Sequence, residues 1–145
     1  MLSLRSATTG DAQFLWECRN DDMALRFSGS TEAIPYAAHC RWLASRLRDP
    51  DCQIYLGVTA DGTRVGYGRL DQRTISVAVH PVLRRLGFAS QLIALTTQEA
   101  HSTGMIAWIR PENAASKRAF ASCGYQYTVT ESQNGQLVER WDFSP

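Results

Sequence analysis

The chain has 145 residues, 44% of them hydrophobic, and a formal net charge of +1. That length suits one domain with one real core, and the near-neutral balance gives no electrostatic case for nucleic acid or an anionic membrane as partner. Cys18, Cys40, Cys52 and Cys123 form no C-x-x-C and have no paired histidine spacing, and no apolar run nears the ~20 residues of a membrane span, so the expectation is a cytoplasmic protein with reduced thiols and no metal.

Leu2 and Leu4 alternate with Ser3 and Arg5 as a short first strand. Thr8 and Asp11 have the spacing of a capping box with Asp in the Glu place, and Phe14, Leu15 and Cys18 mark the buried stripe of the helix it opens. Residues 20–34 are polar and irregular, and a loop of that length is often functional. Pro35 suits the first turn of a second helix. Tyr36, Cys40, Leu43, Ala44 and Leu47 are its expected core stripe, with His39, Trp42 and Arg46 on a neighbouring face. Cys52, Ile54, Leu56 and Val58 then alternate, Asp61-Gly62 turns the chain, and Val65 to Leu70 returns as a hairpin.

Ile75, Val77 and Val79 alternate on the next strand, which Pro81 stops. Arg84-Arg85-Leu86-Gly87-Phe88-Ala89 stands directly before a helix marked by Leu92, Ile93, Thr96 and Ala100. Gly87 and the small Ala89 let the backbone approach a ligand, the helix start has unpaired N–H groups, and the arginines add charge. The same residues also make a capped helix with a solvated basic turn. Neither G-x-x-x-x-G-K-S/T nor G-x-G-x-x-G is present. Met105 to Ile109 completes a β-α-β crossover, so its strand should run parallel to the one ending at Val79. A short helix over Ala114 to Cys123 should turn Ala115, Ala119 and Phe120 inward. Tyr125, Tyr127 and Val129 alternate, Asn134-Gly135 signals another hairpin, and Leu137, Trp141 and Phe143 should close the sheet. The sum is one α/β domain over residues 1–145: a mixed, mostly antiparallel sheet with one splayed parallel pair and helices around it. Ligands of such sheets sit beyond the carboxyl ends of the parallel strands, here by Val79, His80 and Asn113.

Arg84-x-x-Gly87-x-Ala89 after an apolar strand resembles the Q/R-x-x-G-x-G/A signature of the GNAT N-acetyltransferase superfamily. Ile109-Arg110-Pro111-Glu112-Asn113-Ala114-Ala115-Ser116, then Ala119-Phe120 and Cys123-Gly124-Tyr125, is similar to that family's strand, Asn-x-x-S/A, helix and Gly-aromatic sequence. The resemblance implies acetyl-CoA as cosubstrate and no metal. It implies that Val77, Ala78 and Val79 hold the pantetheine through their backbone. Arg84, Arg85, Leu86, Gly87, Phe88, Ala89 and Ser90 would hold the pyrophosphate, Asn113 the pantetheine arm, Ser116 and Lys117 would lie by the phosphates, and Phe120 would belong to the cofactor site as well. Asn113 is equally an N-cap, and Lys117 equally an exposed helix charge.

The reaction implied is direct acyl transfer to an amine. An alkyl amine of pKa ~10.4 must lose a proton first, and the leaving thiolate needs a proton or a donor. A backbone N–H near Val79 is the natural donor to the developing oxyanion. Many members carry a tyrosine where this chain has Phe120, and some carry a glutamate where it has Trp108, so neither usual group is present. Tyr127 and Tyr67 rank first as substitutes, ahead of Tyr125, Ser76, His80 and Glu131, and a covalent route through Cys123 is discounted.

For the acceptor, Trp16-Glu17-Cys18-Arg19-Asn20 with Arg26, Ser28, Ile34, His39 and Trp42 is similar to acetyltransferases of UDP-linked 4-amino sugars, and partly to those of protein N-termini. That resemblance makes His39 and Trp42 stacking residues and Arg19 or Arg46 diphosphate ligands; otherwise the tryptophans simply pack the helices. The leading expectation is an N-acetyltransferase of an amino sugar nucleotide or other small amine, monomeric or homodimeric. The others are a protein or peptide α-amine acetyltransferase and a CoA-binding module without turnover.

Overall fold

Two glycine turns set the register of the sheet. In the computed structural model, which describes residues 1–20, 32–100 and 104–144, Gly62 takes φ 88°, and Asn134 and Gly135 take φ 52° and 77°. Asn134 and Gly135 are the two residues between the paired Gln133 and Gln136, and positive φ at both is what a two-residue hairpin needs to match the strand twist. The strands are β1 (Ser3–Ser6), β2 (Cys52–Val58), β3 (Arg64–Asp71), β4 (Thr74–Val79), β5 (Ile106–Ile109), β6 (Tyr125–Gln133) and β7 (Gln136–Phe143). The helices are α1 (Ala12–Arg19), α2 (Tyr36–Arg48), α3 (Phe88–Glu99) and α4 (Ala114–Ser122). The sheet order is β1-β2-β3-β4-β5-β7-β6, antiparallel throughout except for the parallel pair β4–β5.

The helices cover the two faces unequally. On one face α3 presses Leu92, Ile93 and Thr96, each 0% exposed, onto the sheet. It seats closely because the strands beneath carry glycine: a Cβ on Gly68 would lie 2.0 Å from Thr96 Oγ1, and one on Gly57 would lie 2.4 Å from Leu92. On the other face α1 and α2 lay Leu15, Cys18 and Leu43 over Cys52, Ile54, Leu56 and Tyr67. The expected capping box is present: Thr8 accepts from Gly10 N, and Asp11 accepts from Thr8 N at 2.9 Å. Pro35 sits one residue ahead of α2, at its N-cap.

Three expectations about the core are corrected. Tyr36 is 44% exposed and His39 is fully buried, because His39 has two polar partners inside while Tyr36 has rotated off the face that meets the sheet. Ala115 is exposed, since the first turn of α4 projects past the sheet. Leu137 is 60% exposed and Val138 is buried instead. The β6–β7 hairpin runs on beyond Ile109↔Glu139, the last pairing with β5, and leaves the Leu137 side chain in solvent near its tip.

Candidate active site

Strands β4 and β5 meet at one register position, Thr74↔Ile106, and part beyond it. Backbone alternation says what faces the gap. His80 N donates to Val65 O on β3 at 2.9 Å, and Ile106 N reaches across to Arg73 O at 2.7 Å. In an antiparallel ladder successive residues bond to opposite sides. Ser76, Ala78 and His80 therefore bond toward β3, while Val77 and Val79 turn their N–H and C=O into the gap. Of the expected trio, Ala78 has its backbone on the β3 side.

The loop beyond β4 is held in an unusual conformation. After a single 3-10 turn over Pro81–Leu83, Arg84 is extended, Arg85 has φ 66° and Gly87 has φ 82°. An arginine at positive φ is strained by roughly 1–2 kcal/mol. Gly87 is the N-cap of α3, and no side chain accepts from the first turn there. A Cβ on Gly87 would meet nothing within 4 Å, so there is open space beside that residue. Ser90 and Gln91 turn their side chains back to Gly87 O, at 3.3 and 3.5 Å. A helix start that no capping side chain closes, with two arginines in the preceding turn, has the donors and the charge that an anion needs.

On the far side of the gap, Asn113 caps α4, accepting from Ser116 N at 3.2 Å; its amide nitrogen is a separate donor. Lys117, expected by the phosphates, donates from Nζ to Glu139 Oε2 at 3.2 Å, and Trp141 Nε1 donates to the other oxygen at 3.0 Å. Phe120 is 5% exposed and packs edge-on against Tyr125 at 5.0 Å, an apolar wall with no proton to give.

The face not covered by α3 carries α1 and α2. Tyr67 opposes Ala78 and Arg69 opposes Ser76, so these four share that face. Trp42 is the centre of a cationic group here. The Arg19 guanidinium carbon lies 3.7 Å from the indole centroid and that of Arg69 lies 5.5 Å away. Asp71 is shared by Arg69 at 2.7 Å and Arg46 at 3.8 Å. Burial and the neighbouring Arg69 lower the Arg19 pKa, with Tyr67 opposing. His39 stacks on Trp42 at 5.8 Å but has no exposed surface, so it is not a ligand-stacking ring. Sequence spacing alone does not single out Arg69; the packing of α2 over β3 brings it to Trp42. Arg26 and Ser28 lie outside the described residues.

The two leading tyrosines part company. Tyr67 is 8% exposed, and burial pushes its phenol up, so it keeps its proton at neutral pH. Tyr127 is 52% exposed on edge strand β6, packed edge-on against Trp141 and bonded to Thr130 Oγ1 at 2.7 Å. Trp141 packs in the core beneath α3 and α4, so Tyr127 is on the opposite face from Tyr67 and two strands beyond β5. Tyr125 is buried and bonded to Thr97 Oγ1 at 2.7 Å. His80 approaches Glu17 with Nε2 at 3.0 Å and accepts from Val82 N through Nδ1 at 3.3 Å, so neither nitrogen is an idle base. The Cys123 thiol donates to Ser90 O at 3.3 Å. Among the described residues no group of three or more metal-ligating side chains forms, and no helix is long and apolar enough to cross a membrane.

The acetyltransferase (GNAT) family matches residues 13–125, and the chain belongs to that family. It is an N-acetyltransferase that uses acetyl-CoA as cosubstrate. No curated protein matches the chain. Among solved structures, the spermidine N-acetyltransferase of Vibrio cholerae in complex with CoA and spermine is similar at TM-score 0.84 and 15% identity, over 98% of this chain and 94% of that one. The yncA structure from Salmonella typhimurium with its cofactor acetyl-CoA aligns at 0.78 and 20% identity, over 98% and 92%. The aminoglycoside acetyltransferase AAC(6′)-Ib with coenzyme A aligns at 0.77 and 15%, over 98% and 94%. At these identities the likeness is one of fold.

Proposed function

We propose that this chain acetylates the primary amine of a small anionic acceptor, with an amino sugar nucleotide as the class that fits best. The observation that carries the reading is the pair of arginines about Trp42, on the sheet face that bears Ser76 and Ala78 of β4. Two guanidiniums and an indole suit a diphosphate joined to flat or cyclic groups, and they disfavour a polycation such as the spermine of the Vibrio structure. An acidic, open cleft would have suited a peptide α-amine; the residues gathered here are mainly basic and aromatic. A cytoplasmic setting accords with four cysteines that are in no disulfide.

Acetyl-CoA supplies the activated acyl carbon. The Val77 and Val79 backbones offer the pantetheine a strand edge, the first turn of α3 with Arg84 and Arg85 offers N–H groups and charge to the diphosphate, and Asn113 offers its side-chain amide. Tyr67 is the proton donor we assign to the departing thiolate: its phenol stays protonated, and Ala78 of β4 is its cross-strand neighbour. With a raised pKa it is an acid and a poor base, so the acceptor amine loses its proton by another route.

The test is thiol release from acetyl-CoA across UDP-linked 4-amino sugars, free amino sugars, polyamines and N-terminal peptides. The reading expects the largest kcat/KM for a phosphate-bearing amine. A clear preference for polyamine or peptide would replace it. Silence across the panel, with acetyl-CoA still raising the melting temperature, would favour a CoA-binding module.

A further inference from the structure

His39 has no exposed surface, yet both ring nitrogens have polar partners: Nε2 lies 2.8 Å from Ala12 O and Nδ1 lies 2.9 Å from Arg19 Nη1. A carbonyl oxygen only accepts and a guanidinium only donates. One ring form satisfies both, the neutral one with its hydrogen on Nε2 and a lone pair on Nδ1. Burial, the larger effect, and the nearby Arg19 both lower the His39 pKa, against the Ala12 carbonyl, so this is the form at neutral pH. His39 thus ties the first turn of α1, at Ala12, to its last residue, Arg19.

Arg19 needs that tie. It is the C-terminal residue of α1, half-withdrawn from water, with a second guanidinium nearby on the same indole. Desolvating one cation beside another is unfavourable unless an anion offsets it. Among the described residues, the carboxylate at this cluster is Asp71, which serves Arg46 and Arg69. We infer that His39 is a positioning residue, which as a neutral acceptor holds the Arg19 guanidinium on Trp42 so that Arg19 and Arg69 together bind the phosphate groups of the acceptor. The inference rests on the proposed acceptor class and deepens it. It moves His39 from the ligand-stacking role that its sequence neighbourhood implies to a support beneath the site.

The probe is UDP-N-acetylglucosamine, which has the diphosphate but no free amine and no phosphate that titrates near neutral pH. Calorimetry with the whole chain measures its Kd for wild type, His39→Leu and His39→Asn, with acetyl-CoA binding and the melting curve as checks on the fold. Asn places an amide oxygen where Nδ1 stands, so it can still accept from Arg19; Leu cannot. The expected result is a tenfold or greater weakening in His39→Leu and recovery to within threefold of wild type in His39→Asn, while acetyl-CoA affinity holds in both. In the reaction, the same loss should appear in the acceptor KM and leave kcat within threefold. Should His39→Leu not fold, Arg19→Gln replaces it, with the same tenfold loss expected. Equal probe affinity in the wild type and a folded His39→Leu or Arg19→Gln would overturn the inference, as would absence of probe binding to wild type. Probe binding that follows this pattern without thiol release from any UDP-linked amine would leave the positioning role standing and remove the proposed acceptor.

Discussion

Tyr67 and Tyr127 show how much a single side chain's surroundings decide. Both are tyrosines on strands of the same sheet, yet one is buried beside β4 and the other is half exposed on the far edge and the other face. Removing the Tyr67 hydroxyl should lower kcat by about 10²-fold, the low end of what a positioned proton donor contributes. The KM for acetyl-CoA should hold, and steady-state kinetics of Tyr67→Phe checks both. Tyr127→Phe should retain wild-type turnover in the same assay, and a comparable loss there would reverse the assignment. Alternation could place either residue on a strand, but the choice between faces needs the pairing partners. Arg69 was hidden for the same reason, because its approach to Trp42 depends on helix α2 lying over β3. His39 was misread because helical spacing puts it beside Trp42, while its burial depends on a carbonyl 27 residues earlier in the chain.

At the scale of elements, the turn from β4 into α3 matters most. The glycine at its end was legible: Gly87 stands at the spacing that admits a left-handed N-cap before an apolar helical stripe. The positive φ of Arg85 was not, since nothing in the local sequence favours it and the loop as a whole imposes it. Gly87→Glu should weaken acetyl-CoA binding by at least tenfold, through strain at φ 82° and through a carboxylate facing the diphosphate. Gly87→Ala has the strain without the charge and should lose less; calorimetry on the pair separates the two causes. Asp-Gly and Asn-Gly made both hairpins readable, whereas the small residues Gly57, Gly66 and Gly68 carried a packing meaning that only α3 above them reveals.

Across the whole molecule, Asp11 ties the first strand and helix to the sheet. It is 3% exposed and accepts from Arg5 at 2.8 Å, Arg64 at 3.2 Å and the Thr8 amide at 2.9 Å. The Arg5 bond chiefly, then Thr8 and Arg64, hold its carboxyl well below the usual range against the opposing effect of burial. A carboxylate with a depressed folded pKa contributes stability above its unfolded value, near 4, and loses it as pH falls toward the folded one. Asp11→Asn should therefore cost about 2 kcal/mol at pH 7, given that both arginines are part-exposed. The gap between the urea midpoints of mutant and wild type should narrow steadily from pH 5 to pH 2.5. A gap independent of pH would mean that Asp11 acts through packing alone. The capping box that places Asp11 was visible as Thr8-x-x-Asp11, but its two arginine partners, one on β1 and one on β3, meet only once the sheet has formed.

If acetyl-CoA lies in the β4–β5 gap, backbone alternation decides which amides it covers. Amide hydrogen exchange, followed residue by residue with and without CoA, reads it directly. Val77 and Val79 should gain protection on CoA binding together with the first turn of α3, while Ala78, already bonded to β3, should change little. Protection confined to other strands, or equal gains at Val77, Ala78 and Val79, would contradict it.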